Sequence, residues 1–133
     1  MKVTGSCHCG RITLEADIDP QRVRICHCTD CQKLSGSAFR VTVPVDERDV
    51  SFRGDAPSTY IKRSESGNSR LHAFCGHCGT PLYATTPSGA GRRFGLRVGV
   101  LDQRAELQPH RQFWLRSKLP WLPTLPGKEH ETQ

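Results

Sequence analysis

Apolar residues recur at every second position along several stretches of the chain. In RITLEADI, Ile12, Leu14, Ala16 and Ile18 fall on one side and Thr13, Glu15 and Asp17 on the other. FRVTVPV repeats the pattern with Phe39, Val41, Val43 and Val45, and FGLRVGV with Phe94, Leu96, Val98 and Val100. A period of two sends alternate side chains to opposite faces of a strand, so each run predicts a half-buried strand. DVSF and TYIK predict shorter ones. Pro44 sits on the polar parity of its run, and because proline brings no N–H to a ladder, that strand is expected at a sheet edge. Turn-forming runs separate these segments: DPQ at 19–21, RGDAP at 53–57, ESGNS at 65–69 and PSGAGR at 87–92. Only TDCQKLSG, 29–36, predicts a short helix, with Thr29 or Asp30 as its N-cap and Gly36 as its stop. Pro120, Pro123 and Pro126 exclude a helix from LPWLPTLPG. That segment is expected to run extended, laying Trp114, Trp121 and Leu122 over the core. The prediction is one mostly β, antiparallel domain over residues 1–126, with a frayed tail at 127–133.

Composition sharpens this picture. The chain has 133 residues and is 35% hydrophobic, enough for one lean core. A lean core in a turn-rich chain needs a staple, and seven cysteines are the candidates. MKVTGSCHCG contains no apolar signal region, and no run approaches the roughly 20 residues of a membrane span. The expectation is a soluble, cytoplasmic protein without membrane contact, where thiols stay reduced and clustered cysteines bind metal. The net charge of +6 is spread along the chain with no basic run or basic helix. Nucleic acid is therefore disfavoured as a partner, and an anionic small molecule accounts for the excess equally well.

The cysteines form three groups: Cys7 and Cys9; Cys26, Cys28 and Cys31; Cys75 and Cys78. Residues two apart on a strand point the same way, so Cys7 and Cys9 share a focus, as do Cys26 and Cys28. His8 and His27 then face away, as solvent-exposed or supporting imidazoles. FCGHCGTPLY has the chemistry of a zinc knuckle, with Gly76 and Gly79 freeing the turn and His77 at its tip. A knuckle supplies two thiolates. Adding Cys7 and Cys9 makes a closed, structural four-cysteine zinc site. Cys26, Cys28 and Cys31 are left with an open fourth position, the arrangement of a catalytic zinc. The competing assignment pairs two of this trio with the knuckle and frees Cys7 and Cys9; spacing alone leaves both open.

GSCHCG, CHCTDCQKLSGSAF and FCGHCGTPLY together resemble the glutathione-dependent formaldehyde-activating enzymes, a family that includes centromere-protein-V-like domains. All seven cysteines have counterparts in order and spacing, and the resemblance runs from about Thr4 to Pro126. It implies a β-tent fold, a structural zinc on Cys7, Cys9, Cys75 and Cys78, and a catalytic zinc on Cys26, Cys28 and Cys31. The chain is compact beside the named enzyme, so glutathione-recognising loops are expected to be reduced.

A zinc on three thiolates is a soft, weakly acidic centre that suits an incoming thiol, whose pKa it lowers below about 8.5. The thiolate then adds to a small aldehyde or leaves from the adduct, which matches the family's carbon–sulfur lyase class. Glutathione and formaldehyde are the substrates the resemblance implies. His27, His72, Ser35 and Ser37 are candidates for moving the proton, and Lys33 and Arg40 for meeting an anionic thiol. Two other classes compete: a zinc-stapled binding module for protein or nucleic acid, and a redox or metal-buffering protein using the trio as reactive thiols.

Overall fold

The structure is a computed structural model that describes residues 1–63 and 67–133. The turn expected at 65–69 falls partly outside the described residues. Among the described residues, eleven strands form two sheets, and their pairings are antiparallel except those that β10 makes. The smaller sheet holds β1 (Lys2–Ser6), β2 (Ile12–Asp17) and β5 (Val50–Gly54) in that order. The larger contains β3 (Arg24–Cys26), β4 (Arg40–Asp46), β6 (Ser58–Arg63), β7 (Ser69–Phe74), β8 (Pro81–Thr85), β9 (Arg93–Arg97), β10 (Arg111–Phe113) and β11 (Lys128–Glu129). Its order is β11-β10-β3-β4-β9-β8-β7-β6. One helix, α1 (Thr29–Ser35), follows β3. No described helix is long and apolar enough to cross a membrane.

The alternating runs become these strands, and their apolar parity builds the core between the sheets. Val3, Leu14 and Ala16 of the small sheet meet Val43, Val45, Phe94 and Leu96 of the large one. Phe52, Tyr83 and Phe94 join the sheets as a ring cluster, with centroids 4.9 and 4.6 Å from Tyr83 to its two neighbours. Burying such side chains is worth about 1.5–3 kcal/mol each and supplies the main driving force for a chain of this size.

Four expectations need correcting. Pro44 lies in β4, which is central in the large sheet, between β3 and β9. β3 pairs with β4 only as far as Thr42, so at Pro44 one flank is already open and a missing N–H is tolerated there. β9 stops at Arg97, short of Val100; a 3-10 turn over Val98–Val100 follows and returns Leu101 to bridge Gly5. Gly5 permits this because a Cβ there would collide with the Val100 carbonyl. Trp121 stands 70% exposed, whereas Trp114 and Leu122 are partly buried. The segment 127–133, expected to fray, instead pairs along β10: Lys128 N–H donates to His110 O at 3.0 Å and His130 N–H to Gln112 O at 2.9 Å. His130 also stacks on Phe113. The open edge of β10 offers backbone groups that recruit this strand.

Gly54 closes β5 at φ 95°, opposite Ile12, and a Cβ there would strike the Arg11 carbonyl. Gly54→Ala is expected to cost about 2 kcal/mol in chemical denaturation, while Ser51→Ala, an exposed site on the same strand, changes stability by less than about 0.5 kcal/mol.

Candidate metal centres and an arginine-lined cleft

Two turns of similar construction bring four cysteines together. Gly10 N–H bonds Cys7 O at 3.1 Å and Gly79 N–H bonds Cys75 O at 2.8 Å, with both glycines near φ 80°. Only a residue free to adopt positive φ closes these turns without strain. Ile12 N–H then donates to Cys7 Sγ at 3.3 Å, and Cys78 N–H reaches Cys75 Sγ at 3.5 Å. The four sulfurs lie within 4.8 Å of one another, with Cys7–Cys9 at 3.5 Å and Cys9–Cys75 at 3.7 Å. Metal–sulfur bonds of about 2.3 Å in a tetrahedron require edges of about 3.8 Å, so the donor set fits a single metal ion. Thr80 ties the two turns together. Its hydroxyl oxygen accepts from His8 N–H at 3.0 Å, and its proton is directed to Cys78 Sγ at 3.1 Å. That hydrogen bond draws the Cys78 thiol down to about 5. His8 and His77 are both exposed; His8 owes this to the turn that follows β1 and not to strand alternation.

The second group sits where β3 runs into α1. Cys26 ends the strand, Cys28 caps the helix, and Cys31 lies in its first turn, with all three sulfurs within 4.8 Å. The cap is neither Thr29 nor Asp30: Cys28 Sγ accepts Cys31 N–H at 3.3 Å. Gly36 ends the helix in the left-handed conformation, as expected. Hydrogen bonding from Cys26 holds Cys28 as the thiolate, down to about 2, and the same contact pushes Cys26 up. Three convergent thiols with one acidified sulfur also suit a metal ion.

His27 is turned away from the trio, but into the protein and not toward solvent. It is fully buried, edge-on to Phe39, with Nε2 2.9 Å from Gln112 Oε1. Gln112, itself fully buried, donates through Nε2 to Leu125 O at 2.8 Å. Its oxygen therefore faces the imidazole, and His27 carries its proton on Nε2. Gln32 adds two bonds from Nε2, to His27 O at 2.8 Å and Ser117 O at 3.0 Å. The loop carrying the trio is thus anchored to the C-terminal segment.

The trio opens into a cleft of about 640 Å³ whose floor is the outward face of the large sheet. Strand register explains its composition. Cys26 pairs with Arg40, Arg24 with Thr42, Thr42 with Arg97, and Pro44 with Gly95, so these residues share one side. What reads as a solvent parity in the alternating runs is the floor of a cleft walled by α1 and Trp114. Trp114 is held at φ 60°, an unfavourable conformation for a bulky residue, beside this cavity. Ala84, paired with His72 on one side and Gly95 on the other, adds little bulk. Arg97 reaches across to donate from Nη2 to His72 Nδ1 at 3.2 Å. Burial and the surrounding cations, Arg40 foremost, push His72 down to about 4 and Arg97 down to about 9.

Of the residues nominated from sequence, Arg40 and His72 line the cleft. Ser35 is occupied by weak bonds to Gln32 O and Phe39 O, and Lys33 and Ser37 are exposed outside the lining. Sequence reasoning missed Thr80, Gln112 and the converging Arg24, Arg70 and Arg97. Arg97 was discoverable, since it shares the polar parity of its run; Gln112 carries no sequence signal.

A mostly β domain with a four-cysteine cluster and a separate three-cysteine cluster in a basic cleft defines a candidate metalloprotein with one closed and one accessible centre. The model of the glutathione-dependent formaldehyde-activating enzyme family matches residues 2–117, and the chain belongs to that family. An uncharacterized lyase of Schizosaccharomyces pombe is 28% identical over 90 residues, 68% of this chain. The match spans 62% of that relative's length. The crystal structure of a Rhodobacter sphaeroides protein shares the fold, with a TM-score of 0.58 at 21% identity over 74% of this chain and 87% of that one.

Replacing Gln112 by Leu leaves the buried His27 Nε2–H and the partly buried Leu125 carbonyl without their partner. Stability is expected to fall by about 2–4 kcal/mol, read from thermal and urea unfolding.

Proposed function

We propose that the protein is a zinc-dependent carbon–sulfur lyase that makes or breaks a thiol–aldehyde adduct such as S-(hydroxymethyl)glutathione. One observation carries this reading: Cys26, Cys28 and Cys31 all line the cleft, whereas none of Cys7, Cys9, Cys75 and Cys78 does. In this reading the four hold a structural zinc and the three hold a catalytic one with a position left for substrate. When bound there, zinc supplies a soft Lewis acid that lowers the pKa of a substrate thiol.

The chain's own groups do the rest. Arg40, opposite Cys26 in the ladder, and Arg97 place positive charge beside the trio and favour a thiolate in the cleft over a thiol. Because a guanidinium only donates, His72 accepts at Nδ1 and keeps its proton on Nε2. It serves as a hydrogen-bond donor to the aldehyde oxygen as the carbon–sulfur bond forms, and that oxygen then takes its proton from water in the open cleft; in breakdown the hydroxyl proton returns to water as the carbonyl forms and the thiolate leaves. Trp114 and α1 restrict water at one wall. The cations converge inside a concavity, which suits a small anionic thiol better than a nucleic-acid duplex.

Removing a ligand separates the two centres. Cys75→Ser or Cys78→Ser is expected to lower the melting temperature by about 10 °C or more, because a closed metal site contributes directly to folding. Cys28→Ser lowers it by only a few degrees, since serine preserves the helix cap. Equal losses would refute the division. Mild chelation should release one of two zinc ions first, and Cys28→Ser should abolish that fast phase.

Chemistry is tested with cobalt in place of zinc. Glutathione should change the visible absorption of the parent protein, and exchange of the formaldehyde adduct should be faster with the parent than with Cys28→Ser by roughly a hundredfold. If glutathione, cysteine and other small thiols all leave the spectrum unchanged and the two proteins exchange adducts equally, the lyase reading fails.

A further inference from the structure

Arg40 is nine-tenths buried in the cleft floor, and its Nε has no hydrogen-bond partner. It forms no ion pair among the described residues. A buried guanidinium is tolerated only where something compensates its charge. Among the described residues no carboxylate pairs with Arg40, and the terminal Gln133, which also lines the cleft, forms no ion pair with it. Asp30 is the one acidic side chain in the lining, and Lys62 holds it at 2.6 Å. Arg93 is spoken for by Asp46 at 3.2 Å. That leaves Arg24, Arg40, Arg70 and Arg97 without carboxylate partners among the described residues, on one small surface. Arg97 is also nine-tenths buried, and it spends one N–H on an imidazole. The mutual repulsion of these groups depresses Arg70 and Arg97 after the burial that does so first.

The trio does not cancel this charge. Loaded with a divalent ion, three thiolates carry a single negative charge, and a substrate thiolate adds one more. About two positive charges then remain unmatched in a partly desolvated cleft, where each is costly.

We propose that Arg40, Arg70 and Arg97 form an anion subsite that selects thiols bearing a doubly charged acidic group and no ammonium of their own. A phosphate monoester or a pair of carboxylates satisfies this description. Planar guanidiniums with several donors match such oxyanions well. An ammonium on the ligand would meet the same guanidiniums, with Asp30 already paired to Lys62. Glutathione, with two carboxylates offset by an ammonium, fits less well than a dianion. The subsite stands on the arginines alone; its assignment to a thiol substrate rests on the lyase reading above.

Two measurements test this, both on metal-loaded protein at constant ionic strength. In calorimetry, inorganic phosphate should bind at one saturable site and chloride should not. Arg40→Gln should weaken that binding roughly tenfold or more. Arg70→Gln, at an exposed position that folding tolerates, should weaken it severalfold. In the cobalt protein, half-saturation should come at roughly tenfold lower concentration for mercaptosuccinate than for 2-mercaptoethanol. Glutathione should fall between them, and Arg40→Gln should erase the spread. Absent phosphate binding, equal half-saturation for all three thiols, or indifference to both substitutions would overturn the proposal. A single-stranded oligonucleotide that binds more tightly than phosphate and competes with it would assign the cleft to nucleic acid and overturn it also. If phosphate binds but no thiol perturbs the cobalt spectrum, the lyase reading and the thiol half fall together while the anion subsite stands.

Discussion

Cys9 and Cys75 are 66 positions apart in sequence, yet their sulfurs lie 3.7 Å apart. That closure joins the β1–β2 hairpin of the small sheet to the β7–β8 hairpin of the large one. Cys7 and Cys75 are 1% exposed and pack with Ile12 and Leu82, so the sulfur cluster is also one end of the hydrophobic core. Closing so long a loop costs conformational entropy that a lean core offsets poorly. A metal ion shared by the four cysteines would supply the missing attraction, and the strongest sequence signal in the chain coincides with the joint between its layers.

With the sheets fixed, the large sheet presents two unlike faces. Its inward parity carries Val43, Val45 and Leu96 into the core. The outward parity carries Arg40, Thr42, Gly95 and Arg97 under the cleft. Small residues matter here as much as charged ones. Ala84 and Gly95 keep the middle of the floor low, and that lets Arg97 contact His72 two strands away.

The two sulfur clusters meet donors of different kinds. In the four-cysteine cluster, backbone N–H groups and the Thr80 hydroxyl donate to the sulfurs. At the trio, hydrogen bonds from Cys26 and Cys31 lower Cys28 first, and the full charge of Arg40 acts in the same direction. Local donors suit a centre that stays closed. Guanidinium charge extends beyond the sulfurs into the cavity, and acts on whatever anion enters it.

Much of this was legible in the chain itself. Period-two patterning specified the central strands and their core faces, because side-chain alternation is a local property of an extended backbone. The pairing of Cys75 with Cys78 was readable from its knuckle spacing and its glycines; Cys7 and Cys9 also converge, but in a turn beyond β1, so strand alternation is not the reason. Other features depended on contacts between distant segments. Whether Pro44 lies at an edge depends on where β3 stops, not on its own neighbours. The ordering of 127–133 depends on an unpaired edge of β10, and the burial of His27 on Gln112, 85 residues away. Above all, alternation distinguishes two faces but not what lies beyond the polar one. Residues 40, 42 and 97 read as a solvent face from sequence; α1 and the C-terminal segment, packed over them, make that face a cleft.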